Sequence, residues 1–354
     1  MDSTRRTTHR LLHCDARRIE AVKDDSVALV VTSPPYPMIE MWDEAFAGLD
    51  PETSALLAAG DGRSAFQQMH VILDDAWKEV RRVLIPGGIC CVNVGDATRT
   101  VGGQFSLYPN AARIVSAFLS LGFDVLPRIL WRKSTNAPNK FMGSGMLPAS
   151  AYVTLEHEYV LVFRNGGKRE FSADRSIRRR SAYFWEERNR WFSDLWTDVG
   201  AVGQDLAAGS GRARSGAFPF ELPYRLVHMY SIQGDLVLDP FVGTGSTILA
   251  AVAGARNSVG VDIDESLLAL CASRIEQEWR AAARRTERRF NDHATFVWDR
   301  EARGKPAAHR NAVGGYPVIT AQETDIDLPT VTGIEADGRT FAATHGSLPW
   351  PELT

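Results

Sequence analysis

The chain is short of cysteine, and the cysteines it has form no pattern. Cys14, Cys90, Cys91 and Cys271 are the only four in 354 residues, and no Cys-x-x-Cys spacing occurs. That argues against a disulfide framework and against a zinc site, and makes a reduced, cytoplasmic setting the expectation. No apolar run is long enough to span a bilayer. The N-terminal Met1-Asp2-Ser3-Thr4-Arg5-Arg6 has charge but no apolar core, so no secretory signal is expected there. A large excess of one charge sign is missing too. The formal net charge is −3, so any nucleic-acid binding must come from a local basic patch. There is no internal repeat, no Gly-x-Gly-x-x-Gly dinucleotide fingerprint and no Gly-Lys-Ser/Thr phosphate loop. What remains is an ordinary globular composition, enough for one large α/β domain with insertions or two modest ones.

The stretch that organises the chain is Thr32-Ser33-Pro34-Pro35-Tyr36. It follows a β-branched apolar run over residues 25–31, which reads as a buried parallel strand. Each Pro lacks an N–H and fixes its φ, and each residue before a Pro is pushed to an extended backbone. The strand must therefore end in a rigid corner, at the end of the sheet where open α/β folds hold ligands. A hydroxyl, free carbonyls and an aromatic ring there suit a flat base with an exocyclic amino group. The competing reading is a proline-stiffened turn.

Taken in order, residues 9–13 read as a strand ending at Cys14-Asp15. Asp15 either caps the turn or accepts from a ligand amino group. Residues 37–62 read as a long polar loop, and such loops are usually functional or mobile. Residues 66–84 carry Met69, Ile72, Leu73, Ala76, Trp77 and Val80 at helical spacing. Strands are expected at 89–94, 125–131 and 158–163, the second near an edge because Pro127 lies inside it. A helix is expected over 109–121 and a loop over 134–150. From Arg164 arginines interleave with aromatics, among them Arg178-Arg179-Arg180 and Trp185. That mixture suits phosphate and base contacts, or a charged surface over a few core aromatics. Residues 200–216 read as a linker.

Further on, Leu238-Asp239-Pro240-Phe241-Val242-Gly243-Thr244-Gly245-Ser246-Thr247 is a strand, a glycine turn and the start of a helix. Glycines let a ligand approach the backbone, and a helix N-terminus offers free N–H groups to an anion. Asp262 ends the next strand and is placed to accept from ribose hydroxyls. A helix follows over 267–280. Beyond residue 284 the pattern weakens after two Arg-Arg pairs. Proline, glycine and threonine then dominate, as in an appendage or a partly disordered tail.

These motifs together resemble the S-adenosylmethionine-dependent DNA amino-methyltransferases. Asp239-Pro240-Phe241-x-Gly243-x-Gly245 is similar to their cofactor motif, Ser33-Pro34-Pro35-Tyr36 to their catalytic motif, and Phe218-Pro219-x-x-Leu222-Pro223 to the segment preceding the cofactor motif. The resemblance covers roughly residues 9–280. The catalytic motif comes first, as in the permuted, beta-ordered group, so the chain would begin at the third strand of the family sheet and finish with the first and second.

The resemblance implies a doubly wound, mostly parallel α/β sheet, circularly permuted, with an inserted target-recognition region. The expected units are a catalytic half over 1–163, target recognition over 164–216, a cofactor half over 217–283 and an extension of unknown role over 284–354. S-adenosylmethionine would be held by Asp15 (at the adenine), Phe218, Pro219, Asp239, Pro240, Phe241, Gly243, Thr244, Gly245, Ser246, Thr247 and Asp262. Ser33 and the Pro34 carbonyl would hold the two amino protons, with Pro35 stiffening the corner and Tyr36 stacking on a base flipped out of the duplex. Arg178, Arg179, Arg180 and Trp185 would contact double-stranded DNA, and a restriction endonuclease acting on the same site is an expected partner. No metal is expected. There is no Pro-Cys nucleophile motif of the cytosine-C5 enzymes. Ser rather than Asp before Pro-Pro-Tyr implies cytosine N4 as the target, with adenine N6 as the alternative. A non-catalytic DNA-binding protein on the same scaffold is the reading from another class.

Overall fold

The computed structural model describes residues 5–133, 142–171, 176–200 and 218–351. Residues 134–141 of the expected loop, Arg175 of the arginine-rich stretch and residues 201–216 of the expected linker lie outside the described residues. In chain order the strands are β1 (Arg5–His13), β2 (Val27–Thr32), β3 (Leu84–Val94), β4 (Ala97–Val101), β5 (Gln104–Tyr108), β6 (Phe123–Arg132), β7 (Met142–Gly143), β8 (Ala151–Tyr152), β9 (His157–Asn165), β10 (Leu195–Trp196), β11 (Leu236–Asp239), β12 (Asn257–Asp262), β13 (His309–Arg310), β14 (Pro317–Val318), β15 (Pro329–Asp337) and β16 (Thr340–Ser347).

One sheet carries the order β10-β6-β9-β3-β2-β11-β12-β1-β16-β15. Its centre, from β3 to β1, is parallel. β9 runs antiparallel to both β3 and β6. This is the permuted arrangement expected from the motif order: β1 lies at the far side of β12, and the late strands β11 and β12 pair between β1 and β2. Pro127 sits where the β6–β9 register shifts, and the two-residue β10 is all that lies beyond β6. A proline is tolerated there because a bulge leaves its missing N–H unneeded.

Both faces of β2 are covered, which is why it reads as an unbroken apolar run. Val27 and Val30 join the core under helix α3 (Gly62–Val83), and Leu29 and Val31 join the opposite core. The stripe Met69, Ile72, Leu73, Ala76, Trp77 and Val80 on α3 is buried as its spacing predicts. Trp77 meets Phe118 at 5.3 Å and Phe241 at 6.0 Å, so this core reaches the Asp-Pro-Phe turn.

Residues 37–62 are not an open loop. They hold a short 3-10 turn, helix α1 (Asp43–Leu49) and helix α2 (Pro51–Ala58). Asp50 caps α2 by accepting from the Glu52 N–H, and Pro51 opens it, a start signal in a segment whose glycines suggested coil. The arginine and aromatic stretch divides between surface and core: Arg178, Arg179, Arg188 and Arg190 are exposed while several of its aromatics are buried. It supplies helices α5 (Ser176–Arg180) and α6 (Trp185–Trp191) and strand β10, and Phe184, Trp191 and Trp196 are buried.

The largest departure is at the C-terminal end. Helix α4 (Asn110–Ser120) and helices α7 (Glu221–Tyr230) and α8 (Ser246–Ala253) lie close to expectation. The last helix, α9, runs from Glu265 to Ala302, far past the expected end. Of its arginine pairs, Arg285 and Arg289 share one face and turn inward, Arg285 to Glu221 at 2.8 Å and Arg289 to Glu187. Arg284 and Arg288 are exposed. The pairs hid an amphipathic helix, because buried arginines count as polar in any hydrophobic pattern. After α9 the chain returns as a β15–β16 hairpin, and β16 pairs antiparallel with β1. The extension is therefore part of the main sheet and not a loose tail. Among the described residues no helix is long and apolar enough to cross a membrane.

The seam between β1 and β16 is polar. Thr7 Oγ1 lies 2.9 Å from Nε2 of both His9 and His345, and His9 Nδ1 lies 2.8 Å from Ser258 Oγ. Burial, then His345, pushes the His9 imidazole down to about 3; burial, then Arg5, pushes His345 down to about 4. Both are refused a proton that the unfolded chain accepts near pH 6.5. Their stability contribution is thus complete above that pH and is lost as pH falls toward 4, by about 1.4 kcal/mol per unit for each histidine. His345→Gln removes one of the two. Its melting temperature is expected to drop less than wild type between pH 7 and 5; equal drops would show that this histidine does not sense acid.

Candidate active site

Four parallel strands end at one cavity of about 670 Å³. Asp239 is the last residue of β11 and Asp262 the last of β12. Ser33 follows the last residue of β2, and Asp15 comes just past β1. All four line the cavity. So do Pro35, Phe218, Pro240, Phe241, Gly243, Thr244 and Ser246. Pro34, Tyr36, Pro219, Gly245 and Thr247 are adjacent in sequence to lining residues but do not themselves line it.

Gly245 shows why the turn needs glycine. Its φ is +85°, and a Cβ there would collide with Cys271 Sγ on α9. Gly243 has φ +48° and donates its N–H to Asp262 Oδ2 at 2.9 Å. Asp262 Oδ1 accepts the Asp264 N–H at 2.9 Å. The acid therefore shapes the glycine turn, a structural duty that its position at a strand end did not reveal. Ser246 Oγ donates to the Phe218 carbonyl at 3.3 Å, which ties the segment before α7 to the start of α8. Thr247 Oγ1 donates to the Val31 carbonyl at 3.3 Å.

Asp239 carries the link between the two motifs. Its carboxylate is buried and accepts from Thr32 Oγ1 at 2.7 Å and from the Phe241 N–H at 3.1 Å. Burial pushes it up to about 6, and burial also raises Asp262. Neither carboxylate has an arginine or lysine ion pair among the described residues. A cationic ligand would relieve both. The cavity volume lies in the range of small-ligand sites. A nucleoside bearing an amino acid and a sulfonium fits such a wall: acids for the cation and ribose, and the α8 N-terminus for its carboxylate.

Asp15 is engaged already. It accepts the Arg17 N–H at 2.8 Å and holds the Arg17 guanidinium at 2.7 Å, so the turn-cap reading describes it, while it still faces the cavity. The cavity also has a wall that the sequence did not point to, Trp42 and Phe46 at the start of the refolded loop. The length of that segment was its only signal.

Behind the corner lies a second set of residues. Ser33 Oγ donates to Tyr36 Oη at 3.0 Å. Tyr36 Oη donates to Glu158 Oε2 at 3.0 Å and accepts from Asn93 Nδ2 at 2.9 Å. Asn93 Nδ2 also reaches Glu158 Oε2 at 2.6 Å, and Lys133 Nζ reaches Glu158 Oε1 at 2.8 Å. Burial, then the Glu158 charge, raises the Tyr36 phenol well above its ordinary value. Asn93 in the middle of an apolar strand was a legible anomaly; Glu158 and Lys133 were not.

Arg178, Arg179, Arg180 and Trp185, the residues expected to contact DNA, do not line the cavity. Arg179 Nε pairs with Asp325 and Arg180 Nη2 with Asp327 at 2.7 Å. Trp185 stacks on Phe296 at 5.8 Å with Arg300 over it. Arg178 lies 4.6 Å over the Phe171 ring. Three of these four side chains thus clamp the C-terminal extension onto the body, a partner set that was invisible while the extension read as a tail. Among the described residues no group of three His, Cys, Asp or Glu side chains is arranged to hold a metal ion.

A family model described as DNA methylase, covering N6 and N4 enzymes, matches residues 27–273. The type II methyltransferase M.MthZI of Methanothermobacter thermautotrophicus is 49% identical over 326 residues, 91% of this chain and 90% of that protein. M.MjaI of Methanocaldococcus jannaschii is 46% identical over 280 residues, 76% of this chain and 91% of that protein. Among solved structures, the DNA modification methylase TTHA0409 of Thermus thermophilus, complexed with S-adenosyl-L-methionine, superposes with a TM-score of 0.59 at 32% identity, over 77% of this chain and 96% of that one. The cytosine-N4-specific PvuII DNA methyltransferase has the same fold, with a TM-score of 0.52 at 16% identity over 76% of this chain and 89% of its own. The match spans well over half of the chain and includes both motifs at the cavity, and on these grounds the chain belongs to the N6/N4 DNA methylase family.

Proposed function

We propose that this chain moves the methyl group of S-adenosylmethionine to the exocyclic N4 of a cytosine flipped out of double-stranded DNA. The observation that carries the reading is the Thr32–Asp239 hydrogen bond, which puts the Ser-Pro-Pro-Tyr corner and the Asp-Pro-Phe turn on one cavity. In that reading Asp239 and Asp262 face the cationic and ribose parts of S-adenosylmethionine. Ser33 Oγ and the Pro34 carbonyl accept the two amino protons and draw the nitrogen toward a pyramidal shape. S-adenosylmethionine, when bound, supplies an electrophilic methyl group. Most of the acceleration comes from holding two reactants in line. Ser33, where other family members would carry an acid, favours cytosine N4 over adenine N6. The type II relatives suggest a restriction endonuclease that acts on the same site.

Expression of the gene in a host without DNA methylation, followed by modified-base sequencing, tests the reading. N4-methylcytosine in one sequence context is expected. N6-methyladenine would reassign the base, and unmodified DNA would overturn the activity.

Ser33→Ala is expected to lower the single-turnover rate on the order of a hundredfold, by analogy with the loss of one oxyanion-hole donor, while cofactor and DNA affinity stay near wild type. A wild-type rate would remove Ser33 from the chemistry. Asp262→Asn keeps the size of the side chain but loses its charge and one of its two backbone acceptors. Calorimetry should show weaker S-adenosylmethionine binding together with a lower melting temperature, because the same carboxylate holds Gly243; unchanged affinity would take it out of the site.

The arginine cluster makes two roles separable. Neutralising Arg178, Arg179 and Arg180 together should lower the melting temperature through the lost Asp325 and Asp327 pairs. The logarithmic salt dependence of DNA binding should change by about one unit, the share of Arg178, and not by about three. A change near three would return all three arginines to the phosphate backbone.

A further inference from the structure

We infer that Glu158 is a positioning residue for methyl transfer: acting through Tyr36, it fixes Ser33 Oγ as a pure hydrogen-bond acceptor and takes up the proton that the methylated nitrogen sheds. The inference rests on the methyl-transfer reading of Ser33 and adds to it residues that neither motif contains.

The argument is a count of protons. A tyrosine hydroxyl has one proton and two lone pairs. Asn93 Nδ2 can only donate, and at 2.9 Å it fills one lone pair of Tyr36 Oη. The Glu158 carboxylate can only accept, and at 3.0 Å it takes the Tyr36 proton. The other acceptor within reach, the Asn93 carbonyl, is at 3.4 Å. One lone pair of Tyr36 is left, 3.0 Å from Ser33 Oγ, and only the Ser33 proton can fill it. Ser33 lines the cavity, so with its proton spent on Tyr36 it offers the cavity only lone pairs. An incoming amino group has donors to place. A freely rotating serine would meet it with either sign; this one is already set.

The far end of the chain is built to hold that direction. Lys133 balances the Glu158 charge at 2.8 Å on one oxygen, and Asn93 donates at 2.6 Å to the other, with the Glu158 side chain 12% exposed. Asn93 is buried in β3 and its Oδ1 has no partner among the described residues, so what this polar side chain contributes in an apolar strand is its amide donors. A Cβ on Gly95 would come within 3.4 Å of both Glu158 and Tyr36, so glycine there leaves the pair room.

The same links give the proton a path. As the nitrogen lone pair forms the N–CH3 bond, the electron pair of the S–CH3 bond leaves with sulfur. The nitrogen is then cationic with two N–H bonds. One of these protons passes to Ser33 Oγ while the serine proton moves to Tyr36 Oη and the tyrosine proton to Glu158. The products are a neutral methylamino group and a neutral carboxylic acid, and the positive charge that arrived on sulfur has been cancelled.

The test uses Glu158→Gln, Tyr36→Phe, their double variant and Glu158→Asp in the full chain. Unmethylated genomic DNA and tritiated S-adenosylmethionine are the substrates, under single turnover. Glu158→Gln and Tyr36→Phe are each expected to slow methyl transfer roughly a hundredfold, the low end for a lost general acid–base group. Cofactor and DNA affinities should stay within about twofold. The double variant should be no slower than the slower single one, because both cut one chain. Glu158→Asp should recover part of the rate. Penalties that multiply, or that fall on binding instead of rate, would mean the network only packs Tyr36, and the inference would be wrong. A wild-type rate for Glu158→Gln beside a slow Ser33→Ala would overturn the relay and leave the reading of Ser33 intact. Wild-type rates for both would end the reading of the corner itself. Should Glu158→Gln melt early, Tyr36→Phe decides alone, since it removes one oxygen and keeps the ring.

Discussion

The hydrogen bond from Thr32 to Asp239 spans 207 residues of sequence and is the constraint on which the site depends. It closes between neighbouring parallel strands, where Val30 pairs with Leu238 and Leu29 with Val237. Shifting that register by one residue would turn every side chain of β2 to the other face and pull Ser33 off the cavity. Thr32 and Asp239 are both buried, so the bond forms away from water and leaves no slack between the two motifs. The α3 core holds the same place from below, because Trp77 packs on both Phe118 and Phe241. The relative placement of the two motifs is thereby set by the middle of the sheet.

Permutation moves the problem to the edge. β1 is the last strand of the parallel block, and the edge it turns away from β12 would be left unpaired. The extension answers this by laying β16 along β1 and β15 outside it. The long α9 brings the chain there, and the Glu187–Arg289 and Glu221–Arg285 pairs hold α9 to α6 and α7. Arg179 and Arg180 finish the clamp. The two pairs on α9 are buried or half-buried, and their charges are costly to strand singly, so they fix where the extension goes more than they add net stability.

Much of the fold was legible where one principle acted alone. The apolar runs of β2 and β11, the helical stripe of α3 and the glycine turn after Asp239 all read correctly, because burial and backbone sterics dictate those residue types. The extension was illegible because its buried apolar residues, among them Phe290, Val318, Ile326, Leu328 and Phe341, are scattered among prolines, glycines and buried arginine and histidine, so no single period stands out. Phe341, Ala343 and His345 alternate inward on β16, but only one of the three is a strong apolar signal. Residues 37–62 misled in the opposite way: Gly48, Pro51 and Gly60 punctuate helices there and do not dissolve them. At the site, the lining residues were readable from motif order and strand ends. Asn93 stood out only as a polar residue in an apolar strand, and Lys133 and Glu158 not at all, since each owes its meaning to partners far away in sequence.

The polar chain behind the corner also bears on why serine can stand at position 33. A carboxylate before Pro-Pro-Tyr has no proton to misplace and presents lone pairs in every rotamer. A serine has one proton, and if it points into the cavity it meets an amino group donor to donor. Serine therefore works as an acceptor only beside a group that claims its proton. Tyr36 makes that claim because Asn93 and Glu158 have already settled its own hydrogen bonds, and Glu158 can do so because Lys133 balances its charge. The residue type at the corner and the polar residues on β3, on β9 and just past β6 are then parts of one device: exchanging Ser33 for an acid would make the network dispensable, and dismantling the network would leave Ser33 without a fixed sign.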